Sequence, residues 1–377
     1  MGSSLFEVTI NVVKLLAIFL LMVQLVPILV WVERRGSAFI QNRFGPNRVG
    51  PLGLTQLLAD AVKFLFKEEF RPPKSVAFLF YAAPVVALIP GALAFSAIPL
   101  SMPFELMSGG ETYNFLFQGF DLGIGIVFVL GISSLGAYAL LFAGWGSGNK
   151  YSLMGAIRAS AQMISYELAL GLSLVGILLI YGSFSFHDII ASQLGSMKFM
   201  FFGKQVAVDF LPNWGIFYQP LGFILFFVAT FAETNRAPFD LPEAEAELVA
   251  GYHTEYGGLK MLMFYIGEYG HMLVSSALVV TFYFGGYDPG TWFGVDCAEL
   301  IKGLSESSFI QSLLMFALVF MPKVLFFLWV YIWVRWTLPR LRYDQLMDLG
   351  WKSMLPWALF NTVATAAVVV FFNSVGS

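Results

Sequence analysis

Phe231-Ala-Glu-Thr-Asn-Arg-Ala-Pro-Phe-Asp-Leu-Pro-Glu-Ala-Glu-Ala-Glu-Leu-Val-Ala-Gly251 sets five carboxylates, Glu233, Asp240, Glu243, Glu245 and Glu247, between two long apolar segments. Only 12% of the 377 residues are charged, so this concentration of acids needs a cause. Asp240 suits a helix N-cap, with Glu243 at the third helical position and Pro242 tolerated in the first turn, which predicts a short helix starting here. On that helix Glu243 and Glu247 stand one turn apart on one face, a like-charge pair that disfavours the helix unless a proton or a cation intervenes. A solvated acidic loop is the plainer alternative.

The flanking segments decide the class. A mean hydropathy of +0.76, 58% hydrophobic residues and 40 Phe belong to a polytopic membrane protein. A hydrocarbon core of roughly 30 Å takes about 20 apolar residues per helix. Eight stretches meet that length: 10–32, 76–100, 120–144, 153–181, 215–234, 259–285, 309–334 and 352–372. The first is too long for a signal peptide and lacks a small-residue cleavage site, so it reads as a span. The expected fold is an all-α polytopic membrane protein, one transmembrane domain over 1–377 with about eight membrane helices. Orientation follows the basic residues. Thirteen lie in loops 33–75, 145–152 and 233–258 and the segment 335–351, against Lys198, Lys204 and Lys302 in the opposite loops. Both termini are therefore expected on the outer side, with the charged loops facing the cytoplasm or its equivalent.

The first span runs into Glu33-Arg34-Arg35, an ordinary boundary signal or a site of chemistry. Gln41 to Gly53, with three Gly and two Pro, predicts a shaped, non-helical loop containing Arg43. Beyond it Leu54, Leu57, Leu58, Ala61, Val62, Leu65 and Phe66 recur at helical spacing, with Gln56, Asp60, Lys63 and Lys67 opposite. This is an amphipathic interfacial helix, either a surface anchor or the floor of a cavity for an amphipathic ligand. The fourth span carries Arg158 one turn in and Tyr166-Glu167 near mid-depth, where an ionisable group marks function by default. His253 and Glu255 precede the sixth span, which holds Lys260, Glu268, Tyr269 and His271. Glu268 and His271 share a face, but two groups in helical register lack the third ligand of a zinc site, so no metal is expected. Pro322-Lys323 falls near the middle of the seventh span, where a lysine needs a carboxylate or an aqueous cavity. Trp333 to Asp348 reads as a polar hairpin with an interface belt of Trp and Arg.

The single Cys297 excludes an internal disulfide and a cysteine-ligated cluster within the chain, so electron carriers belong to a partner. No nucleotide-binding glycine pattern follows a strand, which leaves no adenine-cofactor site; no nucleic-acid partner is expected either. Buried acids Glu167, Glu233 and Glu268 sit on three different spans. Carboxylates of separate helices facing a common interior form a proton route, because burial and neighbouring charge pull their ionisation in opposite directions.

Glu33-Arg-Arg, Arg43-Phe-Gly-Pro-Asn-Arg-Val-Gly-Pro, Ala59-Asp-Ala-Val-Lys63, Ser165-Tyr-Glu167, Ala232 to Leu248 and Arg342-Tyr-Asp-Gln-Leu-Met347 occur in that order. Together, from about residue 31 to residue 357, they resemble the H-type membrane component of respiratory complex I, the proton-translocating NADH:quinone oxidoreductase, whose mitochondrial counterpart is subunit 1. The resemblance implies a heel component between membrane and peripheral arms, with quinone as substrate and NAD and iron–sulfur clusters only in partner subunits. It implies that Glu33, Arg34, Arg43, Asp60 and Arg236 line the quinone tunnel. Asp240, Glu243, Glu245, Glu247 and Glu255 would form an acidic loop beside the chamber, and Glu167, Glu233 and Glu268 would begin the proton pathway. It implies a bacterial cytoplasmic membrane, rather than a mitochondrial inner membrane, with periplasmic termini. The alternatives are the related component of a membrane-bound hydrogenase or another complex-I-like enzyme, and a stand-alone secondary transporter. The last predicts internal repeats, and the two halves show no similarity.

Overall fold

The computed structural model describes residues 2–108, 111–201, 204–240, 251–293 and 295–376. The chain is an all-α polytopic membrane protein. Its first half contains α1 (Gly2–Ile40), α2 (Gln56–Phe66), α3 (Ala77–Ala97), α4 (Gly125–Ser133), α5 (Leu135–Gly146) and α6 (Lys150–Tyr181). After α7 (Phe186–Ser192) and the one-turn α8 (Gly215–Tyr218) come α9 (Pro220–Glu233) and α10 (Gly258–Tyr283). The chain closes with α11 (Cys297–Lys302), α12 (Ser308–Met315), α13 (Met321–Thr337), α14 (Tyr343–Asp348) and α15 (Leu355–Gly376).

Among the described residues six stretches are long and apolar enough to cross a membrane: Val8–Ile40, Ala77–Ala97, Gly125–Gly146, Lys150–Tyr181, Ser308–Thr337 and Tyr343–Phe372. The other two expected spans are helical but differ in kind. α9 has 14 residues, about 21 Å at 1.5 Å per residue, short of the ~30 Å core. The expected 215–234 span is divided at Gln219, whose φ of −132° and ψ of 58° leave the helical region. Gln219 is held there by polar groups of the last helix, donating to Thr365 at 2.6 Å and accepting from Asn361 at 2.9 Å. α10 is long enough but is enclosed by protein: every residue from Met272 to Tyr283 is buried. Its second half, buried on every side, belongs in a core, and α1, α3, α9 and α13 pack against the helix.

Three further boundaries move. α1 continues to Ile40, so Glu33-Arg34-Arg35 lies within a helix instead of ending one. The polar hairpin of 335–351 shrinks to the link 338–342, with α13 and α14 on either side. Widened π-helical turns occur at Phe316–Phe320 and Leu349–Met354, immediately before Pro322 and Pro356. A proline lacks the N–H and crowds the preceding turn, and the wider turn accommodates both. The loop from Gln41 to Gly53 is non-helical apart from the single turn Pro51–Gly53. Gly53, at φ 75°, has no room for a side chain, since a Cβ would lie 2.2 Å from the Pro46 carbonyl oxygen. In α2 no residue is buried; Leu58, Val62 and Leu65 point away from the protein while Asp60 turns toward α1.

Two-stranded antiparallel ribbons decorate the connections opposite the acidic stretch: β1 (Phe104–Ser108) with β2 (Glu111–Phe115), β3 (Ser196–Phe201) with β4 (Lys204–Pro212), and β5 (Thr291–Trp292) with β6 (Val295–Asp296). The 182–214 loop, silent in sequence, is thus α7 plus a ribbon. The 284–288 turn on that side answers the question posed by Lys323. Its ammonium donates to the carbonyls of Phe284 at 2.7 Å, Gly286 at 3.1 Å and Asp288 at 2.5 Å, and lies 4.6 Å from the Trp214 ring centroid. Main-chain carbonyls hold the lysine, and the buried Asp288 carboxylate lies close enough for its charge to act on the ammonium, as the sequence leads one to expect. Lys323→Met leaves those three carbonyls without their donor, and at about 1–3 kcal/mol for each unsatisfied group the assembled protein is expected to melt several degrees lower. An unchanged melting midpoint would contradict this anchoring role.

Candidate functional site

α3 and α10 approach through small residues: Gly91 faces Gly267, and a Cβ on Gly267 would lie 2.7 Å from the Ala87 carbonyl oxygen. That contact carries Glu268 and Tyr269 into the bundle just under the surface where α9 ends. From the other side α9 ends at Glu233, and the chain turns through Asn235 at φ 50°, a left-handed conformation Asn tolerates. The turn folds Arg236 and Asp240 back against α10, both buried.

The side chains then alternate in charge. Arg236 Nη2 donates to Glu268 Oε2 at 3.4 Å, and its guanidinium stacks 4.1 Å from the Tyr269 ring centroid. The Tyr269 hydroxyl donates to Glu33 Oε2 at 2.6 Å, and the other oxygen of Glu33 accepts from Arg335. Arg340 donates to Asp240 at 2.9 Å. Three carboxylates thus face three guanidinium groups. The arginine side chains grade from 6% exposed at Arg236 through 25% at Arg335 to 41% at Arg340. The network opens toward that surface and closes inward. Its acids stay buried because each has a positive partner; removing one partner strands a charge, at a cost of about 3–5 kcal/mol.

Beyond Glu268 lies a cavity of about 40 Å³ whose lining includes Glu233, Thr234, Asn235, Glu268 and His271. At roughly 10–15 Å³ per water position it has room for about three waters. Glu233 also has the Ser133 hydroxyl beside it and lies within the field of Glu167. Glu167 itself does not line the cavity. It stands half-buried on α6 between the exposed Ile164 and Leu168. Of the three acids expected to meet, two do and the third flanks them.

Other sequence-selected residues are placed apart from this network. Arg34 pairs with Asp60 at 2.6 Å at the surface between α1 and α2, and Gln56 donates to the same carboxylate. Arg43 is exposed and donates to Gln41. Glu255 accepts from Asn149 at 2.8 Å and lines a surface cleft with Lys74 and Lys150. Glu243, Glu245 and Glu247, and the short helix expected from Asp240, lie outside the described residues. Glu268 and His271 share the cavity, but no cluster of three metal-ligating side chains occurs among the described residues. In sequence Arg335 and Arg340 read as part of an interface belt or equally as a contact for acidic surfaces of a soluble partner, and Gln162 carries no signal at all. Gln162 is fully buried on α6 and donates from Nε2 to the carbonyls of Ala232 and Phe239, 2.8 Å each.

The fold and site are those of an all-helical membrane protein with a charge-balanced network opening on one surface and a small polar cavity behind it. The amino-acid sequence matches the family model described as NADH dehydrogenase over residues 13–366. The chain is 62% identical over 379 residues to the H component of the NADH-quinone oxidoreductase of Bdellovibrio bacteriovorus, covering 98% of each. Similar proteins of that description occur in Salinibacter ruber, at 44% identity over 93% of each chain, and Cytophaga hutchinsonii, at 43% over 91% of each. The chain belongs to this NADH dehydrogenase family, the H-type membrane components of NADH-quinone oxidoreductase.

The turn Gly251–His253 closes the site from the loop side, packed so tightly on α6 that a Cβ on Gly155 would lie 2.9 Å from the Gly251 Cα. Burial, and then the charge of Arg236, push the His253 imidazole down to about 3, from an ordinary value of about 6.5. Between those values the unfolded segment binds a proton that the folded one refuses. Its stability is complete above about pH 6.5 and falls as pH drops, by up to ~1.4 kcal/mol per unit. Amide exchange of residues 251–257, corrected for intrinsic rates, is expected to speed up between pH 7.5 and 5.5, and His253→Gln to flatten that dependence. Protection that ignores pH in the unsubstituted protein would contradict it.

Proposed function

We propose that this chain is the membrane subunit of a proton-translocating NADH:quinone oxidoreductase that closes the membrane side of the quinone chamber and couples quinone reduction to proton movement through buried carboxylates. The observation that carries the reading is the double membership of Glu268. It is paired with Arg236 in the network that opens to the inner surface, and it lines the cavity shared with Glu233.

Reducing a quinone to a quinol takes two electrons and two protons; the electrons come from NADH through iron–sulfur clusters in partner subunits. Negative charge arising at the inner surface attracts the guanidinium groups there. Any weakening of the Arg236–Glu268 contact leaves Glu268 as an uncompensated buried anion, a state that binding a proton relieves. The cavity, with room for water, and Glu233 stand next to it as the route for that proton, and Glu167 lies near enough to Glu233 to register the change. Titrations linked in this way belong to the set, not to one residue. Arg34, Asp60 and Arg43, near α2, suit the quinone entry, and the inner loops 33–75, 145–152, 233–258 and 335–351 suit docking of the soluble subunits. The other membrane subunits pack in the bilayer against the apolar flanks, and both termini lie on the periplasmic side of a bacterial cytoplasmic membrane.

Arg236→Ala and Glu268→Gln, made in the purified assembled enzyme, are expected to lower NADH:quinone turnover on the order of tenfold or more while NADH oxidation by ferricyanide stays intact. Equal loss of both rates would indicate failed assembly, and full quinone turnover in both variants would sink the proposal. Glu167→Gln is expected to reduce protons pumped per electron in vesicles; an unchanged ratio in a normally assembled enzyme would remove Glu167 from the pathway.

A further inference from the structure

The segment 232–239 holds the parts of the site in order: Glu233 at the cavity and Arg236 against Glu268, with Asp240 immediately after it. One buried side chain spans it. Gln162 Nε2 donates one hydrogen to the Ala232 carbonyl and the other to the Phe239 carbonyl, 2.8 Å each, so a single amide nitrogen fixes both ends of the turn. Those two carbonyls are seven residues apart, and the chain between them leaves and rejoins the bundle at that nitrogen.

Gln162 sits on α6, five residues before Glu167 and four before Tyr166. Tyr166 is itself tied to the next inner element: its hydroxyl donates to the Leu346 carbonyl at 2.8 Å, and its ring lies 5.7 Å from that of Phe239. The turn is held from its far side by the Leu341 amide, which donates to the Pro238 carbonyl at 3.1 Å, and by Arg340 on Asp240. No other side chain among the described residues reaches both ends of the turn.

We infer that Gln162 is a positioning residue for the coupled reaction: its amide clamps the turn 232–239 to the helix that bears Glu167, so that Arg236 and Glu233 keep fixed distances from Glu268 while charge moves. The inference rests on the function proposed above. A glutamine suits the task because it offers two hydrogens from one atom without charge, where a lysine or arginine would disturb the balance of three acids and three guanidinium groups.

Three variants of the assembled enzyme test this. Gln162→Met keeps the length and removes both donors; quinone turnover is expected to fall on the order of tenfold, with ferricyanide reduction intact. Gln162→Asn keeps the amide and shortens the reach, and is expected to retain more turnover than Gln162→Met. Gln162→Glu can donate a single hydrogen, and only as the neutral acid, while its carboxylate would repel both carbonyls. Its turnover is expected to recover in part toward acid pH and to fall further toward alkaline pH, a limb added to whatever profile the unsubstituted enzyme shows. The charged groups of the clamped turn, Glu233, Arg236 and Asp240, with Arg340 on Asp240, and those of the same helix, Arg158 and Glu167, are common to both enzymes, so a new limb arises from the introduced carboxyl. Full turnover in Gln162→Met would overturn the inference, as would equal loss in the Met and Asn variants at every pH. Should Gln162→Met fail to assemble, the pH profile of Gln162→Glu decides: a profile parallel to the unsubstituted enzyme overturns it. Sensitivity to Arg236→Ala with none to any Gln162 change defeats only the clamp, whereas indifference to both defeats the function on which it rests.

Discussion

The contact between Arg236 and Glu268, 3.4 Å across the gap between a surface turn and the central helix, is the constraint around which the inner half of this protein is arranged. A carboxylate so deep in an apolar bundle is tolerable only with a positive partner, and a guanidinium so little exposed only with a negative one. Neither can be supplied locally, because α10 and the turn after α9 are separate in sequence and meet only through the fold. Gly267 sets the depth of α10 against α3, Asn235 sets the sharpness of the turn, and Gln162 sets where the turn begins and ends.

The same arrangement explains why the network is extended instead of a single pair. Tyr269 stacks on Arg236 and spends its hydroxyl on Glu33, and Glu33 takes Arg335 as its second donor. Helices α1, α10 and α13 are thereby joined at one level, with exposure rising outward along the arginines. A charge change at the exposed end acts on members that are mutually held, while the closed end abuts a cavity large enough for water but too small for a quinone ring. In the function proposed above, that geometry would keep quinone reduction apart from inward proton movement and link the two through Glu268. The outer half is built differently: Lys323 is satisfied by three carbonyls of the 284–288 turn, a fixed arrangement of the main chain.

Much of this is legible in the amino-acid order alone. Apolar length locates all eight helical segments, and the rarity of charge marks Glu167, Glu233 and Glu268 as unusual. That α1 runs on through Glu33-Arg34-Arg35 is not legible there. Those residues look like a boundary until Glu33 is seen paired with Tyr269 and Arg335, 236 and 302 positions away. α9 is expected too long because Gln219 looks like one polar residue in an apolar run, and only its partners Asn361 and Thr365 explain the break. Glu167 is expected inside with the other two acids, yet helical phase within α6 turns it toward the flank. Gln162 gives no sequence signal, since a buried glutamine reveals itself only through the carbonyls it reaches.

The central claim is that Glu233 and Glu268 share one hydrated space, joined to the inner surface by Arg236. A structure of the assembled enzyme at a resolution that places water tests it most directly. Ordered water bridging the Glu233 and Glu268 carboxylates, with Arg236 still against Glu268, is the predicted result. A dry, side-chain-filled gap between those carboxylates would contradict it.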